Sequence, residues 1–180
     1  MIILFGLGNP GKEYQNTRHN VGQMFLDFLV KKWGLGWKKR KDYLALVAKK
    51  NNWFLVKPKV FMNESGKAVK IFLTAGPGKC FKRGNKICLI VVHDELDLPL
   101  GKWKLTFAKS SPLHKGIISI ESYLKTKKFW RLRIGVDNRQ SNDWLPGEKY
   151  VLQNFQREEK EILTKVFAEI AQNAKFLSCD

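Results

Sequence analysis

Ile87-Cys88-Leu89-Ile90-Val91-Val92, running directly into His93-Asp94-Glu95-Leu96-Asp97, is the stretch on which the fold of this chain turns. Six consecutive apolar residues leave no polar face, so a strand built from them must be covered on both sides. Working outward, residues 2–7 read as a second buried strand, and residues 21–33 as a helix with Val21, Met24, Phe25, Phe28, Leu29 and Trp33 at helical spacing. Strands follow at 43–48 and 53–56 around the turn Asn51-Asn52, then a helix over 64–75 stopped by Gly76-Pro77. Beyond the central run come a strand near 102–107, a helix near 115–125, a strand at 130–136 and a last helix over 156–177, striped by Leu163, Val166, Phe167 and Ile170. Strands alternating with helices imply an α/β fold: a mixed, largely parallel twisted sheet flanked by helices. Ligands of such sheets bind outside the carboxyl ends of the strands.

The 180 residues suit a single domain, 1–180, and with 44% hydrophobic and 27% charged residues the chain reads as globular. Thirty-three Lys and Arg against 16 Asp and Glu give a formal charge of +17. Such a field concentrates polyanions, nucleic acid first and an anionic membrane surface second. Cys80, Cys88 and Cys179 form no CxxC pair, which favours a reducing compartment. No apolar run reaches the ~20 residues of a membrane span. The N-terminus opens on a strand-like run rather than a secretory signal, so a cytoplasmic location is expected.

The chemistry gathers at three places. Gly6-Leu7-Gly8-Asn9-Pro10-Gly11 matches a dinucleotide fingerprint in spacing, but that motif needs a helix opening at the glycines, and the apolar helical period starts only at Val21. The glycines instead suit a tight turn and a close approach to a ligand. His19 stands just before the helix, where the partial positive charge of the N-terminus favours neutral imidazole, the form that acts as a general base. Asp94, at the end of the central strand, could orient a histidine, or hold Mg²⁺ with Asp97. The three histidines lack the paired spacing of a zinc site. Asn63 could cap the second helix or donate to an oxyanion, and Arg131 and Arg133 alternate on one strand face within reach of a phosphate.

Together Gly6–Gly11 with Tyr14 and Thr17-Arg18-His19-Asn20, then Phe61-Met62-Asn63-Glu64-Ser65-Gly66, His93–Pro99, Arg131–Val136 and Tyr150-Val151-Leu152 resemble, in order, the motifs of bacterial peptidyl-tRNA hydrolases. The resemblance implies a single α/β domain, usually a monomer without cofactor or metal, that cleaves the ester joining a peptide to the terminal ribose of tRNA. It implies His19 as the base that activates water, Asp94 as its orienting partner, and Asn9 and Asn63 as groups that place the substrate and stabilise the oxyanion. Tyr14 and Met62 would line the peptide channel. Asn20, His114, Lys115, Lys104 and Arg133 would contact the substrate, Arg133 at the tRNA 5′-phosphate.

Two positions depart from the family. Ser110-Ser111-Pro112-Leu113-His114-Lys115-Gly116 stands where a glycine-rich loop followed by His-Asn-Gly is usual, so Lys115 replaces an amide that holds water and the tRNA 3′ end. A lysine only donates and could pair with Asp94 or a phosphate instead. Thr106 stands where a lysine often completes the 5′-phosphate clamp, and Lys104 or Lys109 could compensate. The alternative these departures raise is an RNA-binding paralogue with weak or no hydrolysis.

Overall fold

The computed structural model describes residues 1–76, 87–109, 113–140 and 145–173. Seven strands, β1 (Ile2–Gly6), β2 (Lys38–Arg40), β3 (Ala45–Lys50), β4 (Trp53–Pro58), β5 (Cys88–Pro99), β6 (Trp103–Phe107) and β7 (Trp130–Asp137), form one sheet in the order β2-β3-β4-β1-β5-β7-β6. The helices are α1 (Val21–Lys32), α2 (Ser65–Ala75), α3 (Lys115–Leu124), α4 (Gly147–Tyr150) and α5 (Arg157–Gln172). The central strands β4, β1, β5 and β7 run parallel; β3 and β6 pair antiparallel to them, and β2 pairs antiparallel to β3 at the edge.

Period-two alternation divides the apolar run between two cores. Ile90 and Val92 pack with Phe25, Leu29 and the α5 residues Leu163, Val166 and Phe167 on one face. Leu89 and Val91 pack with Val69, Phe72, Ile117 and Ile120 of α2 and α3 on the other. Both faces of β5 are thus covered, as its composition requires.

The differences from expectation are local. β5 does not stop at Val92: His93, Asp94 and Glu95 continue the strand, opposite Arg133, Ile134 and Gly135 of β7. Tyr43 ends a 3-10 turn rather than opening a strand, and Leu44, with φ 52°, redirects the chain into β3. β2 and α4 were not foreseen. α5 ends at Gln172, and its expected continuation over 174–177 lies outside the described residues, as do Ser110–Pro112 and Pro77. Cys88 is disulfide-bonded.

The glycines of the first loop serve packing more than a ligand. A Cβ on Gly6 would lie 2.6 Å from the Gly22 carbonyl oxygen, and one on Gly22 would lie 2.3 Å from the Val92 oxygen. These two glycines let α1 press against the carboxyl ends of β1 and β5, which brings the segment just before α1 over Asp94.

Candidate active site

Asp94 is the centre of the site. Its carboxylate is buried (4% exposed) and receives two imidazoles. His19 Nδ1 lies 2.9 and 3.0 Å from its two oxygens, and His114 Nε2 lies 2.9 Å from Oδ1. His114 caps α3, its Nδ1 accepting the Ile117 N–H. That bond leaves the His114 proton on Nε2, where it is donated to Asp94. His19 likewise donates through Nδ1, so its Nε2 carries a lone pair and has no protein partner among the described residues.

Burial lowers the proton affinity of His19, but the charge of Asp94 and its hydrogen bond outweigh that, and the net shift is upward, with Lys115 opposing it. The sequence pointed the other way, toward a helix N-terminus holding the ring neutral; the adjacent carboxylate overrides that effect. Asp94 is depressed well below the ordinary carboxylate range: burial alone would raise it, and the two histidines more than compensate. His93 is fully buried, and desolvation with the neighbouring His114 pushes it down to about 3. Its Nδ1 donates to the Asp94 carbonyl at 2.7 Å, and its Nε2 has no partner among the described residues.

Asn9 lies on the loop after β1 and Asn63 in the turn after β4. The Met62 N–H donates to Asn9 Oδ1 at 2.9 Å. A backbone N–H can only donate, so the Asn9 oxygen is held inward and the Nδ2 donor is left without a protein partner among the described residues. Asn9 itself is pinned by Asn20: Asn20 Oδ1 accepts the Asn9 N–H and Asn20 Nδ2 donates to the Asn9 carbonyl, both at 2.9 Å. Asn20 is 1% exposed and spends both amide atoms there, so it positions Asn9. Asn63 lies exposed in the 3-10 turn Met62–Glu64 and caps no helix; Glu64 precedes α2. Its side chain makes no hydrogen bond among the described residues.

The remaining expectations divide. Tyr14 meets the half-exposed Phe61 edge to face, centroids 6.5 Å apart, and Met62 is buried against Gly116. Lys115 pairs with Glu148 at 3.1 Å on the surface and not with Asp94. His114 has both ring nitrogens engaged, one on Asp94 and one on the Ile117 N–H. Arg131 is entirely buried on Glu121 and two backbone carbonyls and is structural. Arg133 is also largely buried, its Nε 2.7 Å from Glu95, yet it faces the exposed Lys104 directly across β6.

Asp94 and Asp97, the alternative magnesium pair, are split: one is buried and the other has an 85% exposed side chain near Arg133. His19, Asp94 and His114 do bring ligand-type atoms within 4.8 Å of one another. The nitrogens, however, face the carboxylate at hydrogen-bonding distance with their protons directed at it, so a cation would have to replace those protons.

The sequence reading missed what holds His19 in place. Arg18 is buried, donating to Glu159 at 2.7 and 2.8 Å and to the Asn154 carbonyl at 2.8 Å, with its guanidinium 4.3 Å from the Tyr150 ring centre. The His19 N–H donates to the Val151 carbonyl at 2.7 Å.

A histidine held by a buried carboxylate, its far nitrogen without a protein partner among the described residues, at the carboxyl ends of an α/β sheet describes a hydrolase of the histidine–aspartate type. Comparison with known proteins narrows the class. The family model described as peptidyl-tRNA hydrolase matches residues 3–180, and the chain belongs to that family. It is 38% identical over 175 residues to the peptidyl-tRNA hydrolase of Thermodesulfovibrio yellowstonii, covering 96% of this chain and 90% of that protein. It is 42% identical over 167 residues to that of Carboxydothermus hydrogenoformans, covering 91% and 84%. The crystal structure of the Acinetobacter baumannii enzyme superposes with a TM-score of 0.81 at 28% identity, covering 98% of this chain and 88% of that one. No helix among the described residues is long and apolar enough to cross a membrane.

Proposed function

We propose that this protein hydrolyses the ester between the peptide and the terminal ribose of peptidyl-tRNA, acting as a monomeric, single-domain enzyme without a metal. The observation that carries the reading is His19, fixed through Nδ1 by both oxygens of Asp94 with Nε2 left as a free base. Nε2 takes a proton from water as the water oxygen attacks the ester carbonyl. Asp94 stabilises the imidazolium so formed. The Asn9 Nδ2 donor, with Asn63 beside it in sequence to Met62, stabilises the tetrahedral oxyanion. The imidazolium then returns its proton to the departing ribose oxygen, so one base serves both halves of the reaction. Tyr14 with Phe61 and Met62 line the peptide channel, and Arg133 with Lys104 meets the tRNA 5′-phosphate. Lys115, exposed and tied only to an equally exposed Glu148, is available to the 3′ end.

A binding paralogue gains nothing from a free imidazole nitrogen and a free amide donor, which weighs against that alternative. The test is peptide release from peptidyl-tRNA by the protein, by His19→Ala and by the protein in EDTA. Turnover falls at least about a hundredfold in His19→Ala, with tRNA affinity little changed, and persists in EDTA. Equal rates for variant and parent remove His19 from the chemistry, and loss in EDTA restored by a divalent ion transfers the reaction to a metal.

A further inference from the structure

At the carboxyl ends of β1 and β4, sharing Asn9 and Asn20 with the site, opens a cavity of about 310 Å³. It is lined by the loop from Asn9 to Lys12 and by Lys57 and Lys59 at the end of β4. Three lysines and one acid, Asp27, face it. Asp27 is already spent, with one oxygen accepting from Lys57 Nζ at 2.6 Å and the other from Trp37 Nε1 at 2.8 Å. That leaves Lys12 and Lys59, neither with an ion-pair partner among the described residues, and the cavity carries an uncompensated positive charge.

The strand order gives this charge a direction. On the reading above, the tRNA lies over β7 and β6, where Arg133 and Lys104 face each other, and the ester lies over Asp94 in β5. The acyl side of the ester then leaves toward β1 and β4, into the channel of Tyr14, Phe61 and Met62, and this cavity opens on the same side, sharing Asn9 with the site. Asn9 belongs to both places, since its side chain is fixed by Met62 while its loop lines the cavity. We infer that the cavity is a peptide subsite that takes an acidic side chain just upstream of the ester-linked residue, its carboxylate held by Lys12 and Lys59.

This inference rests on the hydrolase reading and deepens it. The experiment uses three N-acetyl-dipeptidyl-tRNAs that share the ester-linked residue and carry Glu, Gln or Lys before it. kcat/KM is measured for the protein and for the double variant Lys12→Gln/Lys59→Gln, whose fold is checked by its melting temperature. The parent favours Glu over Gln by about fivefold, the scale of a partly exposed ion pair, and disfavours Lys. In the double variant the Glu-to-Gln ratio falls toward one. Equal rates for Glu and Gln in the parent, or a preference that survives in the variant, overturn the inference while leaving the hydrolase reading standing. A uniform loss over all three substrates assigns the lysines to RNA phosphate and overturns it as well. If the parent cleaves none of them, the hydrolase reading itself falls and takes the subsite with it.

Discussion

Replacing Asp94 by Asn exchanges one carboxylate oxygen for an amide nitrogen, and the geometry fixes the consequence. Asp94 accepts from two histidines, His19 at 2.9 and 3.0 Å and His114 at 2.9 Å. His114 must present its proton there, because its other nitrogen accepts from Ile117. Both rings share Oδ1, which an amide oxygen could still serve. The amide NH2 then stands at the Oδ2 place, 3.0 Å from His19 Nδ1, where a donor meets a donor and weakens the hold of the remaining oxygen on His19. If His19 loses that partner, its proton shifts to Nε2, and the nitrogen that should accept from water becomes a donor. Asparagine also carries no charge to stabilise the imidazolium. Loss of a positioned base spans roughly 10²–10⁴-fold, about 3–5 kcal/mol at roughly 1.36 kcal/mol per decade. The pH profile carries the sign. His19 acts when neutral, so kcat/KM rises with pH through its folded pKa, which Asp94 holds above 6.5. In Asp94→Asn the influences left from that set are burial and Lys115, both lowering, so the acid limb moves to lower pH while the plateau drops. Single-turnover hydrolysis from about pH 5 to 9 measures both. A variant within about threefold of the parent, or an acid limb displaced upward, would falsify the idea that Asp94 poises His19.

Lys115→Asn moves the same limb the opposite way, because Lys115 lowers the His19 pKa; its loss from an exposed pair with Glu148 changes stability by less than ~1 kcal/mol. An acid limb that stays put shows that Lys115 does not reach His19. His93 titrates near 3 when folded and near 6.5 when not, so between those values the unfolded chain binds the extra proton, and stability drops as the pH drops, by up to about 1.4 kcal/mol per unit. Denaturant melts of His93→Asn between about pH 4 and 6.5 therefore show a shallower slope than the parent, and parallel slopes refute the assignment. Glu159→Ala strands the buried Arg18 charge and is expected to destabilise by ~3–5 kcal/mol in urea melts, with turnover reduced; a difference below about 1 kcal/mol would show that Arg18 finds another partner.

The parts of this molecule that were legible are those whose signal is local. The run from Cys88 to Val92 has the same apolar character on both faces and named the sheet type, and the helix spacing from Val21 onward placed α1. β5 was cut short because His93–Asp97 reads as a polar turn; what keeps it in the sheet is its pairing with a strand far along the chain, β7. β2 is three basic residues at an exposed edge, with no apolar alternation to reveal it. In the site, the resemblance pointed to His19, Asp94 and Asn9, and the structure sets the first two in direct hydrogen bonding. It could not foresee that Asn20 holds Asn9 and His114 holds Asp94, because both facts depend on the direction of side-chain hydrogen bonds. Arg18 and Glu159, 141 positions apart, carry no local mark of their partnership.

Glu159 does three things at once: it pairs with Arg18, accepts from Asn138, and closes the capping box that starts α5. Every residue assigned to the chemistry lies earlier in the chain. A polypeptide emerging from a ribosome thus holds all of its reacting groups before it holds the acid that neutralises Arg18 and seats the neighbouring His19. Catalytic competence would then come late in synthesis, with the docking of α5, and the unfinished chain would have little power to act on the ester that still joins it to its own tRNA.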